Sequence, residues 1–167
     1  MSILINNAGI CPRNTIDSPD VCETWEAAMS VNPDGTLSLS LALVPALRET
    51  KGGMVIMASI ASFVSTATSM AYSTSKAAIR MLTQNLAQEH AKDGVRVNAI
   101  APGTFIARMT EATRNNPERS QGFLSRIPLG RYGDPQELVG PVVFLASSMS
   151  SYVTGTTLVV DGGYLAD

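Results

Sequence analysis

Lys51-Gly52-Gly53-Met54-Val55-Ile56-Met57-Ala58-Ser59 sets a glycine break, an unbroken apolar run and a hydroxyl side by side. A short apolar run without alternation predicts a strand covered on both faces, as in a parallel sheet. Before it, Gly35 to Arg48 carries Leu37, Leu41, Val44 and Leu47 near helical spacing, and Lys51-Gly52-Gly53 stops that helix. After it, a long helix is predicted from about Ala71 to Lys92, with Ile79, Leu82 and Leu86 on its apolar side. Asp93-Gly94 ends it, and Val95 to Ile100 reads as the next strand.

The same alternation extends to both ends. Ser2 to Ile5 reads as a short buried strand running into the Asn6-Asn7-Ala8-Gly9 turn. Ser18-Pro19 reads as an N-cap and a first-turn proline, opening a helix with Trp25 and Met29 on one face. Thr104 to Pro128 is polar and suits a mobile lid or substrate loop. Pro135 to Ser147 reads as a helix, and Thr157 to Val160 as a last strand before Asp161-Gly162-Gly163. Strands alternating with helices predict an α/β fold, a parallel sheet with helices on both faces and its active site beyond the carboxyl ends of the strands. That rule brings Asn6 to Gly9, Ser59 and Pro102-Gly103 to one rim. Residues 1–167 carry no internal repeat or linker and read as a single domain.

Composition narrows the partners. Hydrophobic residues make up 45% of the 167 and charged residues 16%, which excludes disorder and predicts apolar surface buried against a partner subunit or a further segment. With 14 acidic and 12 basic residues and no basic block, neither nucleic acid nor membrane is an expected partner. No apolar run reaches the length of a membrane span, the opening at Ile3 to Ile5 is no signal peptide, and a cytoplasmic location is expected. Cys11 and Cys22 read as free thiols; with one histidine they make no standard zinc site, and no metal is expected. That histidine, His90, reads as a surface residue near a helix end, where a cation suits the dipole.

Tyr72 and Lys76 lie four apart on the predicted long helix and share a face. An ammonium beside a phenol favours the phenolate, lowers its pKa from about 10, and fits it to exchange a proton with a carbonyl or alcohol. Alone, such a pair is usually an ordinary exposed one. Around it stand Ser59 at a strand end, thirteen residues before Tyr72, and Asn32 in Val31-Asn32-Pro33-Asp34-Gly35, at the junction of two helical stretches. Plainer readings make Ser59 a strand-end cap and Asn32 a helix-kink residue.

These residues, in this order, together with Asn6-Asn7-Ala8-Gly9, Pro102-Gly103 and the Val159-Val160-Asp161-Gly162-Gly163 ending, resemble the short-chain dehydrogenase/reductase family over essentially the whole chain. The resemblance implies Tyr72 as general acid/base, Lys76 lowering its pKa and binding the nicotinamide ribose, and Ser59 holding the substrate carbonyl. Asn32 would anchor a water linking Lys76 to solvent. Asn6, Ala8 and Gly9 would lie beside the cofactor's adenosine half, and Pro102, Gly103, Thr104 and Phe105 beside the carboxamide. A threonine common in the family is replaced by Ala107, where Thr104 is the expected substitute. The cofactor implied is NAD or NADP, and the substrate a small-molecule carbonyl or secondary alcohol.

The resemblance begins at the family's fourth strand. It implies a partial Rossmann-like, doubly wound sheet lacking the first three βα units, with the first strand of this chain at an edge. No Gly-x-Gly-x-x-Gly turn occurs among the thirteen glycines, and the residue that selects NAD or NADP has no counterpart. Two functions are therefore expected: an NAD(P)-dependent oxidoreductase whose turnover as this chain is open, or a non-catalytic remnant that self-associates. The helices around 35–48 and 71–92 resemble a family dimer contact, so a homodimer or homotetramer is expected. The runs Arg126 to Gly133 and Asp161 to Leu165 look most like gluconate and deoxygluconate dehydrogenases; slightly altered versions occur in 3-oxoacyl-carrier-protein reductases.

Overall fold

The computed structural model describes residues 1–66 and 68–166. In chain order its regular elements are β1 (Ile3–Asn6), α1 (Val21–Met29), α2 (Gly35–Thr50), β2 (Gly53–Met57), α3 (Met70–His90) and β3 (Arg96–Pro102). Two short helices, α4 (Glu111–Arg114) and α5 (Pro117–Leu124), precede α6 (Val139–Ala146) and β4 (Thr157–Val160). The strands form one parallel sheet in the order β1-β2-β3-β4.

Strand periodicity sorts the core into two layers. Met54 and Ile56 of β2, with Val97, Ala99 and Ala101 of β3, pack under Val44 and Leu47 of α2 and Ile79 and Leu86 of α3. Val55 and Ile100 point the other way and meet Leu145, Val142 and Phe144 of α6. Both faces of the two central strands are thus covered, which is why their sequences are apolar throughout. β1 is an edge strand: Leu4 and Asn6 face the α2 layer and are buried, while Ile3 and Ile5 are exposed.

Several expectations need correction. The expected junction of two helical stretches at 31–35 is a π-helical turn, Ser30–Asp34, that joins α1 and α2 into one helical run. Pro33 lies inside that turn, where the widened spacing accommodates a residue without an N–H. Ser18 is no N-cap, since the helix starts at Val21 and the Ser18 hydroxyl instead accepts from the Thr15 amide at 3.0 Å. The segment Thr104 to Pro128, expected as a lid or substrate loop, is not loop alone but contains α4 and α5, with Asn116 and Pro117 opening α5. His90 is buried, not on the surface, with Nδ1 3.4 Å from Arg48 Nη2 and 3.7 Å from Asp93. Arg96, at the start of β3, spreads its guanidinium over the carbonyls of Leu145, Ser147 and Ser150 and closes the C-terminal end of α6.

Candidate active site

The strand ends place the site. β2 stops at Met57, and Ser59 adopts extended geometry to cap the turn Ile60–Ser62, its Oγ accepting from the Ala61 amide at 3.1 Å. The cap reading of Ser59 therefore holds, and it fixes the hydroxyl toward the pocket that also contains Tyr72. Ser69 caps α3 by accepting from the Tyr72 amide at 3.2 Å, which sets Tyr72 in the first turn. One turn later, Lys76 is buried at 5% exposure, with Nζ 5.9 Å from the Tyr72 ring centre.

Lys76 Nζ donates to the Met57 carbonyl at 2.7 Å. The register of β1 stops with Asn6 opposite Ile56, so Met57 has no partner on β1 and its carbonyl is open to the ammonium. Asn32 is fully buried in the π turn: its Oδ1 accepts from the Ile10 amide at 2.8 Å, and its Nδ2 donates to the Ile10 carbonyl and to Ser75 Oγ. It therefore ties the segment after β1 to α3. Gly9 lies against the same group; a Cβ there would stand 3.2 Å from Asn32 Oδ1 and 3.5 Å from Lys76 Nζ. Absence of a side chain at Gly9 keeps the approach to Lys76 open.

Burial dominates the titration of both groups. The Lys76 ammonium is pulled down to about 8 by desolvation, and the Tyr72 phenol is pushed up to about 12 by desolvation against the Ser59 hydroxyl, which pulls the other way. The expected lowering of the phenol by Lys76 is thus not what the chain alone produces. One donor of the ammonium is turned to the Met57 carbonyl, while the phenol is largely shut off from solvent.

Other expected residues divide by what they offer. The Asn6 side chain is committed to Ser40 Oγ at 2.9 Å, whereas Ala8 is exposed. Pro102 ends β3, and Gly103 packs so tightly on β4 that a Cβ would lie 2.8 Å from Asp161 Cα. Phe105 buries its ring against Gly133 and leaves only backbone toward the rim. Thr104 stands between the Tyr72 pocket and a second cavity lined by Arg131, Asp161 and Gly162. Beside Ala107, the Thr110 hydroxyl is taken up by the backbone of its own loop, Oγ1 lying within hydrogen-bond distance of the carbonyls of Phe105 and Ala107.

Sequence reading overlooked Cys11, Arg13, Thr110 and Phe123, which line the pocket with Ser59 and Tyr72. For Cys11 and Arg13 the signal existed, because they follow the Asn6–Gly9 turn on the rim where ligands bind in such sheets.

The fold and this cluster have counterparts in known proteins. A family model described as enoyl-(acyl carrier protein) reductase matches residues 1–165. The 2-dehydro-3-deoxy-D-gluconate 5-dehydrogenase of Dickeya dadantii is 42% identical over 169 residues, covering 99% of this chain and 66% of that protein. The galactitol 2-dehydrogenase of Cereibacter sphaeroides is 40% identical over 98% of this chain and 65% of its own length. A crystal structure of gluconate 5-dehydrogenase from Burkholderia cenocepacia, in complex with NADP and tartrate, superposes with a TM-score of 0.94 at 35% identity, covering 100% of this chain and 66% of that one. The chain belongs to the matched family, within the short-chain dehydrogenases/reductases. It spans 63–66% of the length of the curated relatives it matches.

Proposed function

We propose that this chain carries the catalytic portion of an NAD(P)-dependent oxidoreductase acting on a carbonyl or secondary alcohol of a polyhydroxylated small molecule. The observation that carries the reading is the convergence of four buried groups, Asn32, Ser59, Tyr72 and Lys76, at the carboxyl ends of β1 and β2. The residues fit a nicotinamide riboside. Lys76 Nζ has one hydrogen bond among the described residues out of three donors, and Gly9 leaves space beside it. Backbone at Gly103 to Phe105 would face the carboxamide. When bound, the nicotinamide supplies or accepts the hydride.

The chain's own groups handle the proton. Ser59 Oγ would donate to the substrate carbonyl oxygen and hold it near the phenol, which stays protonated at neutral pH and donates its proton to that oxygen in the reducing direction. Oxidation of an alcohol needs the phenolate and so is favoured at alkaline pH. Relatives named for gluconate, deoxygluconate and galactitol support a polyol or sugar acid as substrate.

Absorbance of reduced nicotinamide tests this. The full chain should oxidise or reduce a member of this substrate class, and Tyr72→Phe should lower the rate about 10²–10⁴-fold without loss of fold. Absence of both turnover and cofactor binding would leave the self-associating reading instead. That reading is supported by Leu37, Leu39 and Leu41 of α2 and Met81 of α3, all exposed.

A further inference from the structure

Three adjoining cavities open on the rim beside Tyr72. The innermost contains Ser59 and Tyr72; the other two lie outward, toward α5. Arg13 lines all three, Arg119 lines both outer ones, and Arg126 lines the one bounded by Thr113, Phe123 and Tyr164. Among the described residues no aspartate or glutamate lines any of them, in a chain with 14 acidic residues against 12 basic.

Nor does any carboxylate of the described residues pair with the three guanidiniums elsewhere. Among the described residues, the arginines in salt bridges are Arg48 and Arg131. Arg13 has the Met109 carbonyl at 3.4 Å, and Arg126 lies over the Tyr164 ring at 4.3 Å. The Arg119 side chain has no hydrogen-bond partner among the described residues, its backbone amide alone donating to Asn116. Like charges gathered around one concavity without counter-charge raise its potential and attract an anion. The planar guanidinium fork matches carboxylate and phosphate oxygens.

We propose that this outer basin is an oxyanion subsite, in which Arg13, Arg119 and Arg126 hold a carboxylate or phosphate that the substrate carries away from the carbon facing Tyr72. The inference rests on the oxidoreductase reading for the inner pocket and adds what fixes the far end of the substrate. It makes the three arginines specificity-determining, since a neutral polyol of the same length leaves them unpaired.

Calorimetric titration of the full chain at low ionic strength with D-gluconate, inorganic phosphate and D-glucitol separates the cases. Gluconate or phosphate should bind at least about tenfold tighter than glucitol, and added salt should erase the difference. The tighter of the two anions identifies the substrate's group as carboxylate or phosphate. Arg119→Gln with Arg126→Gln should remove the preference, and Arg119→Lys with Arg126→Lys should retain part of it. Arg13→Gln should act in the same direction. Equal binding of gluconate and glucitol, no binding of either anion, or an unchanged preference in the glutamine variant would overturn the proposal. Anion binding without any hydride transfer would sink the oxidoreductase reading and leave the subsite standing. Turnover of neutral polyols without anion preference would do the reverse.

Discussion

Replacing Lys76 by methionine tests whether burial sets the character of the site. The ammonium is pulled from 10.5 to about 8 because only 5% of the residue reaches solvent. At about 1.4 kcal/mol per pKa unit, its charge opposes folding at neutral pH by about 3 kcal/mol. Methionine has a similar flexible length and no charge, but leaves the Met57 carbonyl without its donor, at a cost of about 1–3 kcal/mol. The variant should therefore be as stable as the parent at pH 7, or up to about 2 kcal/mol more stable, while losing turnover.

The pH dependence is the sharper signature. Between the two pKa values the folded chain binds fewer protons at Lys76 than the unfolded chain, so parent stability rises with pH through that window. From pH 8 to pH 10 the parent should gain about 2 kcal/mol relative to Lys76→Met. Urea titrations at a series of pH values measure both curves. Parallel curves would refute the reasoning, because they would mean that Lys76 keeps its ordinary affinity for protons despite its burial. Above pH 10 the raised phenol of Tyr72 acts with the opposite sign: the folded chain holds that proton longer, and stability falls as pH rises toward 12.

Two further outcomes follow from the packing. Asn32→Ala should cost about 1–3 kcal/mol, because the segment at Ile10 loses its tie to α3 and Ser75 Oγ loses a buried donor; thermal unfolding measures the loss, and hydrogen exchange should localise it to the segment after β1. Gly103→Ala should cost about 1–3 kcal/mol, since its Cβ would stand 2.8 Å from Asp161 Cα; denaturant titration reads the change, and an unaltered midpoint would mean that β3 and β4 part more easily than their packing indicates.

What the sequence discloses depends on the range of the interaction. The central strands announced themselves because both faces are covered, and Tyr72 and Lys76 were paired by helix spacing alone. That Asn6 to Gly9, Ser59 and Pro102-Gly103 share one rim followed from strand polarity, whereas Asn32 joined the set only through the family resemblance. Contacts between distant segments were not legible. His90 near a helix end reads as solvated until Arg48 and Asp93 close over it. Arg96 reads as an ordinary first residue of a strand, and only the fold brings the end of α6 over its guanidinium. The rise of the Tyr72 pKa was hidden for the same reason: spacing places an ammonium near the phenol, but burial decides the sign.

The π turn at Ser30–Asp34 acts as a phase step in an otherwise continuous rod. An α-helix advances about 100° per residue, so one residue more in a turn rotates everything after it by that amount relative to everything before. Across the step, α1 turns Ala28 and α2 turns Thr36, Ser40, Val44 and Leu47 into the body of the protein. Asn32 sits inside the step, where both of its amide atoms turn inward to Ile10 and Ser75. Deleting one residue between Ser30 and Asp34 would restore a plain helical register. It would then swing either Asn32 off Ile10 or the face of α2 off the sheet, so the length of this turn couples the geometry of the site to the docking of a whole helix.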